Sequence, residues 1–156
     1  MPTVHLFCAF IGFGKTTLAK RIERDTGALR ITPDDIIKDM FGNDVSDDFM
    51  DRAARAEQYA WEQIATAIRA GRDVIYDAGY WTPAARQYAT EKVKSLGGRP
   101  VWHQIQCDIS VAKMRALNRS KSDNELSIDE KFFDDNLAQY SPIGPDEGLD
   151  VIVHKN

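Results

Sequence analysis

The chain of 156 residues contains two cysteines, six prolines and ten glycines. Two cysteines cannot build a disulfide framework, which points to a reducing compartment and an expected cytoplasmic location. So few prolines and glycines, beside 43% apolar residues, exclude a collagen-like or disordered chain. Long hydrophobic runs are also missing. The longest candidate, Val4 to Phe13, stops at Lys15, short of the roughly 18 residues a membrane span needs, so no membrane partner is expected. Met1-Pro2-Thr3 lacks the basic start of a secretory leader, and no small-residue cleavage site follows. There is no excess of positive charge: 24 acidic against 20 basic residues leave a net charge of -4, unlike a nonspecific nucleic-acid coat. No internal repeat or linker is present, and the length suits one domain over residues 1–156.

What is there alternates. Thr3 to Phe10 is a nearly continuous apolar run and reads as a strand buried on both faces. Lys15 to Thr26 reads as a helix ended by Gly27, and Leu29 to Thr32 as a short strand. Thr32-Pro33-Asp34-Asp35 has the form of a helix start. A helical pattern covers Asp47 to Arg69, with Phe49, Ala53, Ala60, Ile64 and Ile68 near one face. Strands at Asp73–Asp77, Val101–Cys107 and Val151–Val153 alternate with helices at Pro83–Leu96, Val111–Arg119 and Ile128–Tyr140; Lys121–Asn124 reads as a loop. Strand–helix alternation predicts an α/β fold: a five-stranded parallel sheet with helices on both faces, in three layers.

The segment Ala9-Phe10-Ile11-Gly12-Phe13-Gly14-Lys15-Thr16 fits the phosphate-loop pattern G-x-x-x-x-G-K-[ST] everywhere except its first position, where Ala9 stands. A loop that wraps a phosphate turns its backbone N–H groups inward, which glycine permits, and the following helix aims its positive end at the anion. Gly12, Phe13, Gly14, Lys15, Thr16 and Thr17 are therefore the expected nucleotide contacts, with Lys15 on the β- and γ-phosphates of ATP and Thr16 on Mg²⁺. Thr17, on the next position, suits a structural role better, and the bulky Phe10 and Phe13 threaten to narrow the approach.

Ligands in open parallel sheets sit beyond the carboxyl ends of the strands. Asp34 and Asp35 follow the second strand, so Asp34 is expected to take the acceptor proton and Asp35 to cap the helix. Asp77 closes the third strand and can support Mg²⁺ or position the acceptor; a simple turn before Gly79 is the alternative. Tyr80 and Trp81 either stack on a base or sugar, or pack inside. Arg86 either touches substrate or lies on a solvated helix face. Arg115 and Arg119, four apart on one helix face, suit a triphosphate, and Ser120–Asn124 could cover the site. Asp146 and Glu147 either cap a turn or approach the adenine side. His5, His103 and His154 show no metal-ligand spacing and read as structural; Cys8 and Cys107 read as buried free thiols. No G-x-S-x-G elbow and no Cys–His nucleophile pattern is present.

The phosphate loop, the Thr32–Asp35 segment, the Val74–Asp77 strand with Arg86 after it, and the Arg115…Arg119 pair stand in an order that resembles a known group. It is that of small P-loop kinases including 5′-hydroxyl polynucleotide kinases, zeta-toxin-type sugar-nucleotide kinases and antibiotic phosphotransferases, often labelled AAA-type ATP-binding proteins. The resemblance spans Val4 to about Val153. It implies a P-loop NTPase fold with the first strand central and a small lid. It also implies transfer of the γ-phosphoryl group of Mg-ATP to a hydroxyl, Asp34 as general base, and Arg115 and Arg119 on phosphates. Polynucleotide kinases carry an arginine three residues after the base; here Ile37 stands there, with Lys38 beside it. A small-molecule hydroxyl acceptor is therefore expected. Two rival readings are a polynucleotide kinase, and an ATP-binding switch without acceptor.

Overall fold

The computed structural model describes residues 1–41, 49–122 and 128–156. The expected lid cover at Ser120–Asn124 and the helix start at Asp47 fall partly outside these residues. In chain order the elements are β1 (Thr3–Cys8), α1 (Lys15–Thr26), β2 (Leu29–Ile31), α2 (Pro33–Phe41), α3 (Phe49–Arg69) and β3 (Val74–Gly79). There follow α4 (Pro83–Ser95), β4 (Arg99–Gln106), α5 (Ile109–Ser122), α6 (Glu130–Leu137), a 3₁₀ turn at Pro145–Glu147 and β5 (Val151–Lys155). The strands form one sheet in the order β2-β3-β1-β4-β5, and every pairing is parallel. The expected five strands, helices on both faces and a central β1 are all present.

Alternation along the strands divides the core in two. Val4, Leu6, Val74, Tyr76 and Trp102 turn to one face, where Ala60, Trp61 and Ile64 of α3 and Ala89 and Val93 of α4 cover them. Phe7, Ile75 and Ile105 turn to the other, under Leu18 and Ala19 of α1, Ala112 and Ala116 of α5, and Phe133 of α6. Tyr80 packs edge-on against Tyr76 and Trp102, so it is a core residue.

Several boundaries shift for local reasons. β1 ends at Cys8, because Ala9 and Phe10 leave the sheet to begin the phosphate loop. α5 starts earlier than expected: the Asp108 carboxylate accepts from the backbone N–H groups of Ser110 and Val111, an end cap that apolar periodicity does not reveal. It also runs through Lys121 and Ser122, read from sequence as loop. α6 is shorter, opened by Asp129, whose side chain accepts from the Phe132 N–H at 2.7 Å. β5 continues to Lys155, which carries the end of the strand toward the phosphate loop. Cys8 is buried, but Cys107 lies just past β4 and is only half-buried, a correction to its expected burial.

Candidate functional site: a phosphate loop beside a cationic cleft

The loop between β1 and α1 turns on two glycines, Gly12 at φ +80° and Gly14 at φ +89°. No other residue type has positive φ among the described residues, so Ala9 needs no glycine-only conformation. The Phe13 N–H donates to the Phe10 carbonyl at 3.1 Å, and Leu18 N–H to Gly14 at 3.1 Å opens α1. Phe10 and Phe13 do not obstruct the loop. Both rings are buried in an aromatic cluster with Trp81, Phe133 and Tyr140. Trp81 therefore packs inside. A Cβ added to Gly12 would lie 2.2 Å from the carbonyl oxygen of Ala112, so the loop is seated directly on the backbone of α5.

Lys15 reaches across to the end of β3. Its Nζ lies 2.5 Å from Asp77 Oδ1 and 3.3 Å from the Asp77 carbonyl. The Asp77 side chain is fully buried, which is tolerable only with cationic partners, and the second of these is Arg30. Arg30 Nη1 donates to Asp77 Oδ2 at 3.2 Å and to Thr32 Oγ1 at 2.9 Å, while Nε holds Glu23 of α1 at 3.0 Å. The sequence reading missed Arg30. Its importance comes from register: Arg30 pairs with Ile75, so Asp77 is its diagonal neighbour on the same face. No short-range spacing carries that information.

A cleft of about 620 Å³ opens between the phosphate loop, α1, α5 and the end of β5. Gly12, Gly14 and Thr17 line it with Arg21, Arg115, Arg119 and Lys155, and among the described residues none of its lining side chains is acidic. In a chain of net charge -4, that segregation makes the cleft locally cationic. Arg115 and Arg119 come together here as their spacing predicts; Thr17, not Thr16, is the threonine on the cleft wall. Thr16 is exposed in the first turn of α1, and Asp34 and Asp35 are exposed in the first turn of α2, beyond the carboxyl end of β2. Asn156, also unread from sequence, ties β5 to the loop: its Nδ2 donates to the Phe13 carbonyl at 2.8 Å.

Arg86 requires a correction. It is wholly buried, and its guanidinium forks onto Glu147 through Nε and Nη2 at 2.8 and 2.9 Å. Nη1 donates to the Ser141 carbonyl at 2.9 Å and to Tyr80, and Nη2 also meets Pro142. Every donor is committed inside the fold, so Arg86 cannot serve substrate. Hydrogen bonding from Arg86 holds the Glu147 carboxyl below its ordinary pKa. Burial pushes the Cys8 thiol up, which suits an inert core thiol.

A glycine-hinged loop at the central strand, a lysine on the third-strand aspartate and a cation-lined cleft define a P-loop α/β fold. Residues 4–143 match the AAA domain family, and the chain belongs to it. None of the curated proteins matches the chain. Among solved structures it is similar to a provisionally assigned kinase from Chloroflexus aurantiacus (14% identity, 99% of this chain and 85% of that one, TM-score 0.79). It is similar also to a gluconokinase from Sinorhizobium meliloti (16% identity, 99% and 81% covered, TM-score 0.59). A further likeness is to the Pnkp1/Rnl/Hen1 RNA repair complex (15% identity, 91% of this chain and 48% of that one, TM-score 0.73). No described helix is long and apolar enough to cross a membrane.

Proposed function

We propose that the chain is a phosphotransferase that moves the γ-phosphoryl group of Mg-ATP to a hydroxyl of a small molecule. The observation that carries this reading is the Lys15–Asp77 contact beside a cleft lined by glycine backbone and cations. The donor set fits the nucleotide. Gly12, Gly14 and Thr17 would hold phosphates with Lys15, while Arg115 and Arg119 offset negative charge. It also fits a hard cation: the exposed Thr16 hydroxyl and the Asp77 carboxylate are oxygen ligands of the kind Mg²⁺ takes. Bound there, the metal would neutralise phosphate charge. Both Asp77 oxygens are engaged by Lys15 and Arg30, so Lys15 exchanges its carboxylate partner for phosphate when nucleotide binds.

Asp34, solvent-facing on the first turn of α2, is the group we assign to orient the acceptor hydroxyl and take its proton. Asp35 supports the helix start. The balance favours a small acceptor over a polynucleotide because Ile37, where polynucleotide kinases place an arginine, is half-buried against the core. The gluconokinase among the structural neighbours accords with that choice. The deciding experiment is ADP release from Mg-ATP against a panel of sugars, aminoglycosides, nucleosides and a 5′-hydroxyl oligonucleotide. Turnover with a small alcohol supports the proposal. Labelling of the oligonucleotide alone would replace it with the polynucleotide reading, and slow hydrolysis alone with the switch.

A further inference from the structure

The three histidines that sequence spacing leaves unconnected form one hydrogen-bonded line across the sheet. His5 Nδ1 lies 2.9 Å from His103 Nε2, and His103 Nδ1 lies 2.9 Å from His154 Nε2. Successive rings are 5.1 Å apart between centroids. Register produces this: His5 pairs with Val101, and Ile105 with His154, so each step crosses to the next strand and advances two residues. The line runs from β1 through β4 to β5, and its last member lines the cationic cleft.

These distances admit a proton and nothing larger. A tetrahedral metal ion held by two imidazoles needs nitrogens about 3.3 Å apart, since each metal–nitrogen bond is about 2.0–2.1 Å. No group of three or more metal-ligating side chains converges among the described residues. Each neutral imidazole has one N–H and one bare nitrogen. Two short contacts in series therefore force all three rings into the same tautomer, either all protonated on Nε2 or all on Nδ1. Adding a proton at His154 makes its Nε2 a donor, which selects Nε2–H on His103 and then on His5. Adding it at His5 selects the reverse. Protons at both ends would point two donors at a neutral His103, which has only one bare nitrogen. The line accepts one proton, at one end.

We propose that this histidine line is a proton-linked element of the anion site, in which occupation of the cleft by a polyphosphate draws one solvent proton onto His154 Nδ1 and fixes the tautomers of His103 and His5. It deepens the phosphotransferase reading and rests on the cleft being a polyphosphate site. The surrounding charges set the direction. At the cleft end, Arg21 of α1, Arg115 and Arg119 of α5 and Lys155 of β5 oppose a further positive charge until an anion offsets them. At the other end, burial holds His5 below its ordinary value, with Asp73 favouring a proton there and Arg99 opposing it. Burial and the flanking His5 and His154 push His103 down to about 3, so the middle ring stays neutral at ordinary pH. Burial and Arg21 lower His154 before the anion arrives.

The test is titration calorimetry at pH 7 with Mg-ATP and, separately, inorganic tripolyphosphate, in buffers of different ionisation enthalpy. Dependence of the heat on the buffer counts protons taken up. The wild type should take up measurably more protons than His154→Gln, which still binds with a loss of no more than about tenfold, the factor that one unit of pKa linkage carries. Ring nitrogen NMR should show all three histidines with the same nitrogen protonated in the free protein, and both nitrogens of His154 protonated in the complex. Equal proton uptake by wild type and His154→Gln, with heat in both, overturns the proton linkage and leaves the nucleotide reading intact. Mixed tautomers among the three rings overturn the line itself. Absence of binding heat from either anion overturns the cleft assignment and this proposal with it.

Discussion

Replacing Glu147 by glutamine keeps the shape of the side chain and removes the only carboxylate that, among the described residues, meets a wholly buried guanidinium. Breaking one partner of such a pair costs about 3–5 kcal/mol, chiefly because the surviving charge is stranded away from water. The carbonyls of Tyr80, Ser141 and Pro142 still accept from Arg86, which places the expected loss near the lower end, about 3 kcal/mol. For a chain of this size that is roughly a 6–12 °C fall in Tm. It also lowers the urea midpoint by about 1–3 M, with m unchanged. The effect has a pH signature. The Glu147 carboxyl titrates below its ordinary value when folded. The stability it contributes is thus fully present above the unfolded pKa and is lost as pH falls through the folded one. The difference between wild type and Glu147→Gln should be constant near neutrality and shrink as the medium is acidified below about pH 4.5. Equilibrium urea unfolding at a series of pH values measures both. A loss under about 1 kcal/mol near neutrality would refute the claim that Arg86 is a structural cation.

Other outcomes follow from the site. Lys15→Ala should abolish ADP release with any acceptor, while Arg30 continues to hold Asp77 and the protein still unfolds cooperatively; retained turnover removes the phosphate-lysine role. Asp34→Asn should lower kcat by about a hundredfold or more with ATP affinity kept, whereas Asp35→Asn should have a small effect; the reverse pattern in steady-state kinetics makes Asp35 the base. Gly12→Ala puts a methyl 2.2 Å from the Ala112 carbonyl at φ +80°, so calorimetry should show nucleotide affinity largely lost and a scan should show a lowered Tm. Arg30→Met should leave Asp77 held by Lys15 alone, reducing kcat at saturating nucleotide by tenfold or so and lowering stability by about 1–3 kcal/mol.

The layers of the fold were readable because apolar runs in β1, β3 and β4 differ so plainly from the helical stripe of α3. The phosphate loop was readable because its chemistry is contiguous: glycines, lysine and threonine lie within one turn. Arg115 and Arg119 were readable because helical spacing puts them together. What escaped was everything set by strand register. Arg30 meets Asp77, and His5 meets His103 and then His154, only once neighbouring strands slide into their final alignment. Arg86 was misread for a related reason. Its partner sits 61 residues later on an irregular turn, so a buried arginine looked like a surface one.

The first residue of the phosphate loop has a wider bearing. Ala9 keeps an ordinary backbone conformation, and within the loop Gly12 and Gly14 are the residues that pass into the left-handed region. A fingerprint written in letters, demanding glycine at the entry position, rejects this chain. One written in dihedral angles accepts it. Searching translated genomes for the torsional requirement, with any compact residue tolerated at the entry position, should enlarge the set of sequences recognised as holding this kind of cradle.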